Sequence, residues 1–489
     1  MVLKNSLLDD LAQSTGFPVD QLSFIIGMLV TLFLAIFYNL FLSPRKVGRT
    51  TRLTVGLVWG ICIGWLCFAS EIIQLIILPM LCYLIIHTVS PRVVHRYIFT
   101  LAMSWLSANH IYRQVTDYGG YKLDITGPLM LITQRVTYVG FALHDGLGRD
   151  PKELTNEQRQ HRIKKKPSFL EFFSYILHFT MVLAGHSCTY FEFMEFIDGT
   201  NMKEFKGTNV IPVMTITRKI VLAYIFLGGV VLGNALISAQ TCVDPQFMSQ
   251  TSLFTKIVFG YFVILATKMR YYYAWVFADG VVNAAGMGFN GYDEKGEPLW
   301  DKFTSAKVKN IELATNARTI IVNWNIGTEK WLKRIIYNRA NDRLSGVLAT
   351  SVTSAFWHGF YPGYYLCFVN VAFVTLSARK ARRSFHAYFQ DSKEKKIFYD
   401  ILTWLTTYSL VSYICMPFVL LQLDSGLIFW RSVYFYGHII ILLGFASPWI
   451  SAVLGMKREE KSTKVNGARE MTGETINSYR INNSRPKEE

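Results

Sequence analysis

His358 is the residue whose type and setting most clearly ask for chemistry. It stands in Trp357-His358-Gly359-Phe360-Tyr361-Pro362-Gly363-Tyr364-Tyr365, inside an apolar run over 344–376. A titratable imidazole in a segment long enough to enter a bilayer is costly to place, so it is a functional-site candidate by default. Imidazole is also the side chain best suited to take up and return a proton near neutral pH. A second stretch lies just upstream: Asn323-Trp324-Asn325-Ile326-Gly327-Thr328-Glu329-Lys330-Trp331-Leu332. It leads into a short amphipathic helix expected over 328–339, with Trp331, Leu332, Ile335 and Ile336 on one face and Lys330, Lys333 and Arg334 beside it. Such a helix is expected to lie in the plane of the membrane interface. Taken alone, Asn325 reads as a helix-start or turn residue.

The elements that must position these residues are membrane helices. The chain is 51% hydrophobic and only 17% charged, with a mean hydropathy of +0.25, and its apolar residues cluster into long runs. These fall at 22–42, 53–69, 72–89, 97–112, 125–143, 170–190, 219–239, 254–278, 344–376, 397–421 and 428–454. A spanning helix needs about 20 apolar residues, and several runs reach that length. The runs 97–112 and 125–143 are marginal, and none alternates as a barrel strand does. The expected fold is all-α, a polytopic transmembrane bundle of about ten or eleven segments. Run 170–190 holds Gly185 and His186 and is expected to be re-entrant or broken. As one helix, run 344–376 would be about 50 Å long at about 1.5 Å per residue, too long for modest tilt. Gly359 and Pro362-Gly363 supply a break. That puts the imidazole at depth beside irregular backbone, which is tolerated only where it packs in protein or lines a cavity.

The net charge of +16 does not imply nucleic acid. The cations sit in connections: Arg45, Lys46, Arg49 and Arg52; Arg162, Lys164, Lys165 and Lys166; Arg379, Lys380, Arg382 and Arg383. This is the bias of cytoplasmic loops, and it favours contact with anionic lipid headgroups. The seven cysteines show no zinc-type or paired spacing, so neither a disulfide framework nor a metal site is expected. Residues 1–20 lack the apolar core of a signal peptide and are expected on the lumenal side. Residues 21–455 read as the membrane-embedded domain. Residues 456–489 read as a polar, disordered cytosolic tail in which the sequon Asn482-Asn483-Ser484 would be silent.

Two motifs together carry a resemblance. Trp324-Asn325-x-x-Thr328-x-x-Trp331-Leu332 is followed about thirty residues later by Trp357-His358-Gly359-x-x-Pro362-Gly363-Tyr364-Tyr365. This pairing resembles the membrane-bound O-acyltransferase family, and within it the lysophospholipid acyltransferase branch. Either motif alone would be weak; the pair at this spacing is specific. Asp124-Ile125-Thr126-Gly127-Pro128-Leu129-Met130 with Gln134-Arg135, then His144-Asp145-Gly146, then Tyr271 through Asn283-Ala284-Ala285-Gly286 extend the similarity over about residues 20–455.

The resemblance implies transfer of a fatty acyl group from acyl-CoA to the free hydroxyl of a lysophospholipid. It implies an endoplasmic reticulum membrane location and a buried tunnel for the acyl chains. The motif histidine falls on His358 and the motif asparagine on Asn325. An alcohol is a poor nucleophile at neutral pH, and a neutral imidazole can take its proton as it attacks the thioester, worth typically about 10²–10⁴-fold. An asparagine amide can donate to the developing oxyanion or orient the base. Acyl-CoA enters as co-substrate, and no cofactor is implied. The stretch from Trp324 to Tyr365 looks most like branch members acting on lysophosphatidylethanolamine and lysophosphatidylserine, with lysophosphatidylcholine a further acceptor. The same fold acting on a protein or sterol is the alternative. A proton-coupled transporter is the reading from another class, disfavoured because no internal repeat is visible.

Other features read as structure. His144 beside Asp145-Gly146 is a turn signal. Gly286-Met287-Gly288-Phe289-Asn290-Gly291 fits G-x-G-x-x-G, but no strand precedes it, so the dinucleotide reading fails its context test. Arg318, Lys330, Lys333 and Arg334 are placed to meet CoA phosphates or simply to rim the interface.

Overall fold

Large apolar side chains lie exposed along several long helices, including Phe33, Leu232, Leu236, Leu442 and Trp449. In water such a surface would aggregate; against lipid it is the expected outer face. The computed structural model describes residues 6–120, 122–207 and 211–455. The expected tail over 456–489 and its sequon lie outside the described residues.

In chain order the helices begin with α1 (Ser6–Thr15), α2 (Val19–Phe41), α3 (Arg49–Phe68), α4 (Ile72–Thr88), α5 (Val94–Thr116) and α6 (Thr126–Leu143). Next come three short ones, α7 (Asn156–His161), α8 (Phe169–Leu177) and α9 (Tyr190–Asp198). The chain continues with α10 (Val213–Leu236), α11 (Pro245–Gln250), α12 (Leu253–Ala284), α13 (Val308–Glu312), α14 (Ala317–Asn323) and α15 (Ile326–Ile335). It closes with α16 (Arg343–His358), α17 (Pro362–Phe385), α18 (Lys393–Leu420), α19 (Leu423–Ser432) and α20 (Tyr436–Val453). The architecture is all-α and polytopic. Among the described residues, five stretches are by themselves long and apolar enough to cross a membrane: α2, α3 with α4, α10, α18 and α20.

The other helices of the expected set carry more polar groups, many of them paired within the protein. Helix α6 shows this best. Thr133, Gln134, Arg135 and Thr137 are all fully buried on it, so its marginal apolarity marks a helix sheathed by protein rather than by lipid. Arg135 donates to the carbonyls of Ile176 (2.7 Å) and Met181 (2.5 Å). These belong to the break in run 170–190: α8 stops at Leu177, the chain is irregular through 178–189, and α9 begins at Tyr190. Freed carbonyls at such depth need donors, and Tyr175 supplies another to Cys188 O (2.7 Å). Two glycines let α3 come close enough: a Cβ on Gly60 would meet Leu177 O at 1.7 Å, and one on Gly56 would meet the His178 ring at 2.2 Å.

Two expectations are corrected. The apolar face of the amphipathic segment meets protein rather than headgroups. Helix α15 turns Trp331, Leu332 and Ile335 into the protein core, because a tryptophan-bearing face finds a better partner in the buried stripe of α6 than in headgroups. The first basic cluster is also more than an orientation signal. Arg52 is buried, bonded to the carbonyls of Leu42 and Phe196 and stacked over Tyr38 and Phe196, while Arg49 pairs with Glu171 at 2.5 Å.

Candidate active site

Helix α16 ends at His358 because Gly359 cannot continue it: its φ of 121° is open to glycine alone. Tyr361 then caps α17, with Pro362 at its first position, where a missing N–H costs nothing. Gly363 is required by contact rather than by φ. A Cβ there would lie 2.0 Å from Pro417 O, and its N–H donates to Leu421 O at 2.8 Å. The break in run 344–376 therefore sits at the residue after the imidazole.

The His358 ring is half-buried and ringed by aromatics. Trp357 lies 4.8 Å away, Phe368 stacks at 5.0 Å, Phe418 meets it edge-on at 5.3 Å, and Tyr364 is at 5.9 Å. These faces fix the plane of the ring while offering its nitrogens little. Among the described residues, neither nitrogen has a hydrogen-bond partner.

Asn325 adopts a left-handed backbone, φ 46° and ψ 54°, at the cap of α15. Asparagine is among the few residues that visit this region readily. Its side chain makes no capping bond and is half-buried. The turn is pinned from outside. Ile326 N donates to Ser305 O (2.8 Å), and the hydroxyl of Ser305 contacts His186 Nδ1 at 2.6 Å. Gly327 packs on Ser187, where a Cβ would lie 3.3 Å from Ser187 Cβ.

Helix α6 brings the two motifs to one place. Met130, Gln134 and Thr137 are spaced i, i+4, i+7 and form one stripe. Met130 O accepts from Trp357 Nε1 (3.0 Å), Gln134 Nε2 donates to Thr328 Oγ1 (2.9 Å), and Thr137 Oγ1 accepts from Trp331 Nε1 (2.9 Å). Thr328 precedes Trp331 by three residues, as Gln134 precedes Thr137, so α15 runs parallel to α6 here. One further turn back, about 4.5 Å, puts Asn325 level with the Met130 turn, where Trp357 is held. The Trp331 and Trp357 rings, 5.8 Å apart, close the contact. The Asp124-to-Met130 motif thus builds the start of this stripe. Asp124 Oδ1 accepts from Thr126 N (2.9 Å) and from Arg113 (3.2 Å), and Arg113 also binds the carbonyls of Gly120 and Lys122.

The remaining motif residues are structural. His144 contacts Pro91 O (3.2 Å) and lies over His95. Asp145 is buried and binds Arg339 with both oxygens, at 3.0 and 2.5 Å. Arg334 pairs with Glu157 at 2.6 Å through its Nε. Burial alone would push the Glu157 carboxyl up, but the guanidinium beside it prevails and holds it below its ordinary value. Arg318, Lys330 and Lys333 are exposed. The glycines after α12 form a hinge: Gly286 and Gly291 both have φ +83°.

A shallow cleft opens at the far end of α15, lined among others by Tyr138, Phe141, Glu157, His161 and Arg339. Its lining includes Arg334 and Ile335 at the end of α15 but neither His358 nor Asn325, and the helical residues 326–333, about 12 Å of axis, separate it from the Asn325 turn. Sequence reading took His186 only as the mark of a break and missed Thr137, Ser305 and, beside Trp357, His110. Only the polar content of run 125–143 hinted at the first, and no local pattern marks the others.

Residues 111–420 match the family model described as MBOAT, the membrane-bound O-acyltransferase family. The chain is similar to lysophospholipid acyltransferase 6 of Drosophila melanogaster, 39% identical over 450 residues, covering 88% of this chain and 62% of that protein. It is similar to membrane-bound glycerophospholipid O-acyltransferase 1 of Homo sapiens, 37% identical, covering 90% of this chain and 91% of that protein. It is also similar to membrane-bound glycerophospholipid O-acyltransferase 2 of Homo sapiens, 34% identical, covering 90% and 86%. The chain thus spans less than two thirds of the fly relative and most of the human ones.

Proposed function

The chain belongs to the membrane-bound O-acyltransferase family, and from that premise we infer that it transfers a fatty acyl group onto the free hydroxyl of a lysophospholipid. The names of the fly and human relatives, a lysophospholipid acyltransferase and two glycerophospholipid O-acyltransferases, support this acceptor over a protein or sterol.

Acyl-CoA is the donor in this reading, and His358 is the base. The acceptor hydroxyl attacks the thioester carbonyl carbon while the imidazole takes its proton. The carbonyl electrons collect on oxygen in the tetrahedral intermediate, and the Asn325 amide donates to that charge or orients the base. The intermediate collapses with loss of the CoA thiolate, which needs little acid assistance and regains the proton from imidazolium. The products are a diacyl phospholipid and CoA. No cofactor beyond the donor is needed to balance the step. Long acyl chains suit a tunnel through the helical bundle, and water exclusion there protects the thioester. Lysophosphatidylethanolamine and lysophosphatidylserine are the favoured acceptors, and the endoplasmic reticulum membrane is the proposed location.

The observation that carries the reading is an imidazole whose two nitrogens have no partner among the described residues, at a glycine-forced helix break hung on the same α6 stripe as the Asn325 turn. The test is His358→Ala, assayed in membranes with acyl-CoA and a panel of lysophospholipids. Turnover should fall by at least about 100-fold with thermal stability kept. Wild-type turnover in a folded variant refutes the assignment of the base.

A further inference from the structure

His110 lies on α5, more than two hundred residues from His358 in the chain, and its Nε2 stands 3.1 Å from the carbonyl oxygen of Trp357. A carbonyl only accepts, so Nε2 carries the proton and Nδ1 is the unprotonated nitrogen. That carbonyl is one of the orphans at the end of α16. Gly359 N turns back to the carbonyls of Ala355 and Phe356, both at 3.2 Å, which leaves Trp357 O to His110. The ring also fills the open side of the glycine: a Cβ on Gly359 would lie 3.3 Å from His110 Cγ and 3.4 Å from its Nδ1.

The residue before the base is consequently held at both ends. Its indole donates to Met130 O on α6, and its carbonyl accepts from His110 on α5. Helix α5 is itself anchored one turn later, where Arg113 gathers Asp124, Thr126, Gly120 and Lys122. The following loop adds a third tie, Gly119 N to the hydroxyl of Tyr361 at 2.8 Å. Without His110, the last turn of α16 keeps its indole anchor but can rotate about it, and the backbone that sets the direction of the His358 side chain rotates too.

We propose that His110 is a positioning residue for the acyl transfer: its Nε2–H, bonded to the Trp357 carbonyl, locks the turn that aims the His358 imidazole at the acceptor hydroxyl. The proposal rests on His358 being the base. A misplacement of about 1 Å in a reacting group can cost about 100-fold, so one backbone bond at this point outweighs its modest contribution to stability.

The experiment compares His110→Leu, His110→Gln and His358→Ala in the full chain, purified in detergent, with acyl-CoA and lysophosphatidylethanolamine. Glutamine places an amide N–H at about the reach of Nε2; leucine fills the volume without a donor. For His110→Leu, kcat should fall roughly 10- to 100-fold, with KM for acyl-CoA and the thermal midpoint little changed. His110→Gln should recover most of kcat. If His110→Leu keeps wild-type kcat while His358→Ala is inactive, the positioning role is overturned and the base assignment stands. Failure of glutamine to restore kcat, or a KM increase in place of a kcat loss, also overturns it. If His358→Ala keeps activity, the base assignment fails and the positioning role fails with it.

Discussion

Asn325 offers the sharpest test because its backbone and its amide make different demands. Its φ of 46° and ψ of 54° lie where an ordinary L-residue loses about 1–2 kcal/mol per residue. Asparagine tolerates this region, and glycine occupies it freely. If Asn325 serves only the backbone, Asn325→Ala should cost about 1–2 kcal/mol, at most about 5- to 30-fold in rate if the whole cost falls on the active conformation. Asn325→Gly should then behave like the native chain. If the amide faces the developing oxyanion or orients the base, glycine restores the turn but not the chemistry. Loss of one such donor costs about 10²–10³ in kcat, or about 2.7–4 kcal/mol. The two accounts therefore predict opposite orders: glycine active and alanine impaired, or both impaired with glycine the more stable protein. The assay follows transfer of a labelled acyl group from acyl-CoA to lysophosphatidylethanolamine by purified variants, with thermal unfolding recorded alongside. We expect glycine to unfold near the native midpoint and to lose at least about 100-fold in kcat. Glycine within about threefold of wild type would show that the amide takes no part.

Two further outcomes follow from neighbouring contacts. Thr137→Val leaves the buried Trp331 Nε1–H without its acceptor at 2.9 Å; it should destabilise the protein by about 1–3 kcal/mol and lower activity, while Thr137→Ser restores both, as thermal unfolding and turnover can show. The Arg334–Glu157 pair predicts an acid limb. Burial raises the carboxyl, the guanidinium lowers it further than burial raises it, and its folded value ends below the ordinary one. The stabilisation is therefore complete above the unfolded carboxyl's value of about 4.3 and is lost as pH falls through the lower folded value. Unfolding scans of Glu157→Gln should show reduced stability at pH 7 and a shallower loss below about pH 4; an unchanged acid limb would show that the pair does not set it.

Much of the site was legible before the fold. Gly359 and Pro362-Gly363 announce a break, because glycine's freedom at positive φ and proline's missing N–H act within a few residues. Gly185 and His186 in an apolar run announced the second break, where Gly185 is required by contact: a Cβ there would lie 2.0 Å from Met181 Cα. The amphipathic face of α15 was legible as a face, but not what it would meet: periodicity gives the stripe and leaves its partner open. The polar side chains of run 125–143 read as a marginal span. They became intelligible only when Arg135 was seen holding the carbonyls of a broken segment some forty residues on.

From the chain alone came an all-helical membrane protein with an imidazole at a helix break, since apolar run length, capping and backbone freedom are local properties. The tertiary structure decided what aims that imidazole. Met130 meets Trp357 across 227 residues of chain, Gln134 meets Thr328 across 194, and His110 meets the Trp357 carbonyl across 247. No period or spacing encodes such pairs; they exist because buried polar groups must find partners, and packing chooses which.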